Sequence, residues 1–205
     1  MHPNPIYHDA DAARNLAFAR EVGFGVLAVN GQAAPMLSHV PFLLSDDGVF
    51  AELHLVRSNP IARALKVPLS ASIAISGPHG YISPDWYGID DQVPTWNYVA
   101  VHLSGQLELR PQDELRDLLD RQSGHFENLL SPKPPWTTDK MTPDVMDKMM
   151  RQIVPCRMKI TGVDGTWKLN QNKTDEVRLR AADGVKANDL GVNTDALSMH
   201  MRTAK

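Results

Sequence analysis

Apolar and polar positions alternate with period two along most of the chain, and a few stretches carry a helical period instead. Ala12, Leu16, Ala19 and Val22 recur at helical spacing. Asp9 or Asp11 can cap that helix by accepting its first free amide bonds, and Gly23 supplies the stop. Strand signals follow. Phe24–Val29 leads into Asn30-Gly31, a pair that tolerates positive φ, so a hairpin is predicted with a return strand over residues 34–44. Asp47-Gly48 marks a second hairpin into residues 49–56, and the three strands predict a meander. Asn59-Pro60 ends it, and residues 61–66 predict a short helix closed by Pro68.

Leu69, Ala71, Ile73 and Ile75 alternate with Ser70, Ser72, Ala74 and Ser76, a half-buried strand. A loop is predicted over residues 77–95, longer than compact domains usually keep without a purpose. In the next strand Val99, Val101, Leu103, Leu107 and Leu109 oppose Tyr98, His102, Ser104, Gln106 and Glu108; Gly105 interrupts the apolar row and predicts a bulge or sharp bend. Pro111 opens a helix to about Leu129, and Thr142-Pro143-Asp144 opens another. Val154, Cys156, Met158 and Ile160 predict a last strand that turns at Val163-Asp164-Gly165 into TWKLNQNK, followed by a helix over residues 174–186. Periodicity fades after Asn188. The expected organisation is one domain over residues 1–187 and a poorly ordered tail over residues 188–205. Strands joined by hairpins rather than by crossover helices predict a mainly β protein, a small antiparallel barrel with flanking helices.

Composition narrows the function. The 205 residues, 42% hydrophobic and 22% charged, are those of a globular chain. Lys and Arg number 21 against 24 Asp and Glu, a net charge of -3, which argues against a surface built mainly for nucleic acid. The single cysteine, Cys156, excludes a disulfide within the chain and an all-thiolate metal site. No apolar run approaches a membrane span, and the first residues lack the pattern of a secretory signal; a soluble, cytoplasmic setting is expected. GxSxG, HExxH, GxGxxG and GxxxxGK[ST] are all missing, so neither those hydrolase and zinc sites nor the common nucleotide loops are indicated.

Candidate chemistry gathers in four patches. Ser38-His39-Val40-Pro41 lies in a strand, where simple alternation puts Val40 inward and His39 outward. Arg57-Ser58-Asn59-Pro60 joins a strand end to a helix start: either Ser58 or Asn59 caps the helix, or the cation, hydroxyl and backbone amides cradle a phosphate. Residues 78–102 gather Trp86, Tyr87, Trp96 and Tyr98, readable as a stiff lid or as a flat wall for an aromatic ring system, with His79 or Asn97 as polar contacts. Lys168, Gln171 and Asn172 belong either to a solvated turn or to a donor set for an anionic or carbonyl-rich ligand.

The segments PHGYISPDWY, VPTWNYVAVH and KLNQNK, in that order and supported by SHVPFLL and HLVRSNP, resemble the PaiB family of FMN-binding split-barrel proteins, named as negative transcriptional regulators. The resemblance covers about Met1 to Arg180. Gly80, where Ala is expected, and Asn170, where Ser is expected, are mild departures. The family implies a six-stranded antiparallel split barrel like that of pyridoxamine-phosphate oxidases, a homodimer, and FMN at the dimer interface. By position it implies a phosphate role for Arg57 and Ser58, and places Ser38, His39 and Val40 beside the isoalloxazine ring. It also implies a flavin role for Lys168 with Gln171, and Trp96 and Asn97 completing the site from the partner chain. Two functions follow from it: a regulator acting indirectly rather than by reading DNA, and an FMN-dependent oxidoreductase on a small substrate.

Overall fold

The computed structural model describes residues 1–204. Helix α1 (Ala12–Val22) starts where Asp11 Oδ1 accepts the Arg14 amide at 2.7 Å, and Gly23 ends it at φ +58°. The strands are β1 (Phe24–Val29), β2 (Met36–Pro41), β3 (Leu43–Leu44), β4 (Phe50–Val56), β5 (Leu69–Ile82), β6 (Thr95–Leu109), β7 (Ile153–Lys168) and β8 (Gly191–Val192). The other helices are α2 (Pro60–Ala64), α3 (Leu115–Asn128), α4 (Pro143–Met150), α5 (Asp175–Asn188) and α6 (Thr194–Thr203). The sheet order is β2-β1-β5-β6-β7-β4-β3, with β8 paired to β5. Six longer strands therefore make a curled, split antiparallel barrel with flanking helices, as the alternation and the family resemblance imply. Among the described residues no helix is long and apolar enough to cross a membrane.

The chain forms two compact units, and β5, β6 and β7 each contribute to both. One unit comprises residues 19–74 and 103–162. It holds the hairpin of β1 and β2, the pairing of β1 with the first half of β5, and the pairing of β4 with the first half of β7. Leu27, Leu53, Ile73, Leu103, Leu107 and Met158 are wholly buried there. The predicted meander is corrected in this unit. The return strand breaks at Phe42, a buried residue whose amide donates to the Gly23 carbonyl at 2.9 Å. Before the break the chain pairs with β1; after it, β3 pairs with β4. One stretch of chain thus supplies both ends of the sheet order, and Phe42 sits at the seam. Gly105 is also corrected: β6 keeps its alternation through it, and the missing side chain serves a close approach, since a Cβ there would lie 2.0 Å from the Lys159 carbonyl oxygen.

The other unit comprises residues 1–18, 75–102 and 163–205. Its core joins Ile82, Tyr87, Val99, Trp167, Leu169, Val177, Ala181, Leu197 and Met201. Three expectations change here. The long loop is shorter, because β5 continues to Ile82, and the first part of the link to β6 is a 3-10 turn, Pro84–Tyr87, capped by Ser83. No turn forms at residues 163–165; β7 runs through to Lys168, and Gly165 is there because a Cβ would strike the Asn15 side chain at 2.0 Å. The stretch after Asn188 is not a loose tail. It carries α6, whose Leu197 and Met201 are fully buried and whose Ser198 hydroxyl donates to the Ala182 carbonyl of α5 at 2.8 Å.

Candidate functional site

In the first unit, the seam between β2 and the end of β4 gathers one set of predicted residues. Asn59 caps α2: its Oδ1 accepts the Ile61 amide at 2.9 Å, which is the capping reading of this patch. Its other amide atom does something the sequence does not show. Asn59 Nδ2 donates to Ser38 Oγ on β2 at 3.1 Å. Arg57 is exposed, and its guanidinium is anchored on one side. Nε donates to the Arg151 carbonyl at 3.0 Å, and Nη2 donates to Gln112 Oε1 at 3.0 Å and to the Ile153 carbonyl at 3.3 Å. Gln112 Nε2 donates in turn to the Met150 and Ile153 carbonyls at 3.1 and 3.2 Å. The guanidinium is thereby fixed in orientation with Nη1 remaining, and the exposed Ser58 hydroxyl is its neighbour in the turn.

Along β2, Val40 is buried in the core, so its side chain faces inward and only its backbone lies on the outer surface. His39 points outward and stacks on Phe24 of β1, with ring centroids 6.4 Å apart and planes 29° from parallel. Phe24 is about half exposed, unusual for a Phe beside a strand hairpin. Sequence reading missed it as a site residue. The signal was present: Phe24 falls on the outward phase of β1, opposite Gly25, Leu27 and Val29.

The second unit holds the other set. Trp96 stands 48% exposed at the start of β6, with His79 at 6.2 Å and Tyr81 at 6.1 Å between ring centroids. Lys168, at the end of β7, donates from Nζ to the Trp96 carbonyl at 2.7 Å and to Thr95 Oγ1. Burial holds its pKa below the ordinary lysine value. The aromatic segment divides. Trp86 packs over Gly184 of α5, where a Cβ would meet the indole at 2.4 Å, and Tyr87 is buried with its hydroxyl donating to Asn170 Oδ1 at 3.4 Å. Those two are packing residues, and Trp96 is the exposed wall. Gln171 closes its own turn: Oε1 accepts the Leu169 amide at 2.8 Å and Nε2 donates to the Trp167 carbonyl at 2.5 Å. Trp167 is likewise internal, with Nε1 donating to Asn15 at 2.9 Å and the Arg14 guanidinium 3.9 Å above its ring. Asn97 is completely buried, and neither atom of its amide has a protein partner, an arrangement that costs free energy unless a water or ligand atom meets it.

Other chemistries find little support. Among the described residues no three His, Cys, Asp or Glu side chains gather as a metal site. Cys156 is buried, and burial pushes its thiol pKa up to about 12, the opposite of an activated nucleophile.

The fold is a curled, split antiparallel barrel that carries an anchored guanidinium and a stacked outward aromatic pair on one unit, and a cation beside an exposed indole on the other. The class is that of flavin-binding split barrels, and the comparisons agree. Residues 1–162 match the family model described as "Putative FMN-binding domain". The chain is 30% identical over 164 residues to the protease synthase and sporulation protein PAI 2 of Bacillus subtilis, covering 77% of this chain and 76% of that one. A protein of Aspergillus fumigatus is 25% identical over 205 residues, covering 75% and 78% of the two chains. Among solved structures, the FAD and heme binding protein of Mycobacterium smegmatis superposes with a TM-score of 0.60 at 15% identity, over 90% of this chain and 82% of that one. The flavocytochrome Anf3 of Azotobacter vinelandii gives 0.57 at 12% identity, over 86% and 77%. These two show the fold. The chain belongs to the PaiB family of FMN-binding proteins, and FMN is its cofactor.

Proposed function

We propose that this protein is an FMN-bound, PaiB-like regulator, homodimeric and cytoplasmic, whose effect on gene expression is indirect. The observation that carries the flavin assignment is Arg57. A guanidinium held by Gln112 and two backbone carbonyls, with the exposed Ser58 next in the chain, fits a phosphate monoester: the cation is pre-oriented and loses little freedom on binding. The outward His39–Phe24 pair on the same unit fits the face of the ring, whereas Ser38, on the other face of β2, has its hydroxyl engaged by Asn59. Trp96 and Lys168 are the set a partner chain would offer; Asn97, fully buried on the opposite face of β6, does not belong to that exposed set. Exposed Ile89, Val93, Leu190 and Val192 in the unit that carries Trp96 support burial of that surface in a dimer. When bound, FMN supplies hydride and single-electron chemistry, and the protein's part is to hold and orient it.

Indirect action follows from charge. Helix α3 and its approach carry Asp113, Glu114, Asp117, Asp120 and Glu127 against Arg116 and Arg121. Both arginines are already paired, Arg116 with Asp120 at 2.8 Å and Arg121 with Asp117 and Glu52 at 2.7 Å. No cationic helix face is left there for a duplex. Of the histidines that could serve an oxidoreductase, His39 stacks on Phe24, His79 Nδ1 bonds the Gly77 carbonyl at 3.1 Å, and burial lowers the pKa of His102.

The test is Arg57→Ala in the purified chain, titrated with FMN and with riboflavin. Losing a charge-assisted bond costs about 1.5–3 kcal/mol, so FMN affinity should fall roughly ten- to a hundredfold while riboflavin affinity stays close to wild type. Equal losses for both ligands, or none for FMN, would move the phosphate elsewhere.

A further inference from the structure

The barrel is open along one seam. Strand β2 ends the sheet order on one side and β4 with β3 ends it on the other, so no ladder of backbone bonds joins β2 to the turn after β4. The proposed ring-flanking and phosphate-binding parts of the flavin site lie on opposite banks of that seam: His39 on β2, Arg57 and Ser58 on the turn. One side chain spans it. Asn59 holds the turn by accepting the Ile61 amide through Oδ1, and holds β2 by donating from Nδ2 to Ser38 Oγ.

We infer that Asn59 is a positioning residue of the flavin site: its amide fixes the phosphate-binding turn against the strand that flanks the ring. The inference rests on the phosphate assignment proposed above. Its physical basis is the two-ended chemistry of the asparagine side chain. Carbonyl and amine are separately engaged, each by a group on a different element, so the planar amide transmits the position of one to the other. FMN is a long ligand with a charged end and a flat end. A turn free to shift relative to β2 would meet the phosphate only by losing register with the ring, whereas a fixed turn presents both ends at once. The bond is half-buried, where a single hydrogen bond has measurable weight.

The cap and the clasp can be separated. Asn59→Ser keeps a good N-cap but is too short to reach Ser38, so it retains the helix and removes only the clasp. Ser38→Ala removes the clasp from the other bank and leaves the cap untouched. Wild type, Asn59→Ser, Ser38→Ala, the double variant and Arg57→Ala are compared for melting temperature, FMN affinity and the visible circular dichroism of bound flavin. Asn59→Ser should melt within about 2 °C of wild type. It should bind FMN roughly three- to tenfold more weakly, with an altered visible dichroism. The double variant should be no weaker than Asn59→Ser alone, because one bond is lost in both. If Asn59→Ser binds FMN and shapes its dichroism like wild type while Arg57→Ala loses FMN, the clasp is only structural and the inference is wrong with the phosphate assignment intact. Fully additive losses in the double variant would also overturn it, since Asn59 and Ser38 would then act separately. If Arg57→Ala binds FMN normally, the phosphate assignment fails and this inference fails with it. Should Asn59→Ser not fold, Ser38→Ala carries the same test: an unchanged dichroism there refutes the clasp.

Discussion

Burial holds the imidazoles of His54 and His102 below the ordinary histidine value of 6.5. An unfolded chain takes up a proton on each as the pH falls through that value, while the folded chain resists. The unfolded state then binds more protons, so the stability present at neutral pH is lost as the pH drops below about 6.5 towards the lower folded values. Urea midpoints should therefore decline between about pH 7 and about pH 5, and His54→Gln should flatten part of that slope. A slope unchanged by the substitution would show that His54 does not carry it. Single residues also mark where sequence reading stops. The outward phase of His39 and inward phase of Val40 follow from alternation, and the capping of α2 follows from Asn59-Pro60. The bond from Asn59 to Ser38 does not, because those residues lie 21 positions apart and meet only across the open seam between the two ends of the sheet. The anchoring of Arg57 by Gln112 and the carbonyls of residues 151 and 153 is hidden for the same reason.

Elements were legible where one face of a strand is buried. The longer strands appear in the alternation because each has an inner and an outer side, and β6 shows this from Asn97 to Leu107, beyond which Leu109, expected on the inward row, is exposed. Errors came where one signal serves two causes. Asp47-Gly48 lies in a tight turn, with Gly48 at φ +71°, but Asn30-Gly31 only opens a longer link over residues 30–35 and neither residue takes a positive φ; the strand between the two links also changes partners at Phe42, which no local pattern records. The Val163-Asp164-Gly165 stretch reads as a turn, yet Gly165 is selected by its contact with Asn15. Helix α6 was missed because its burial depends on α5 rather than on its own periodicity. Glycine gives a test at this scale. Gly105→Ala should destabilise by about 1–3 kcal/mol or more, because the added Cβ would meet the backbone of β7 at Lys159. Gly124→Ala, in α3 with open space around it, should stabilise by about 0.5–1 kcal/mol. A Gly105→Ala midpoint at or above that of wild type would contradict the close-approach account of Gly105.

At the scale of the molecule, a chain of net charge -3 has both α3 arginines paired with carboxylates, and the proposed indirect action rests on that balance. The placement of aromatics matters more than their number. Trp86 and Tyr87 consolidate one unit, while Trp96 and Phe24 are left on the surface, one on each unit. The central proposal is that Arg57, with the outward His39–Phe24 pair of the same unit, holds FMN. The most direct measurement is a titration of the flavin-free protein with FMN, followed by flavin fluorescence and repeated with riboflavin. The account predicts saturable binding of one FMN per chain and a clear preference for FMN over riboflavin. Absence of saturable binding, or equal affinity for the two flavins, would contradict it.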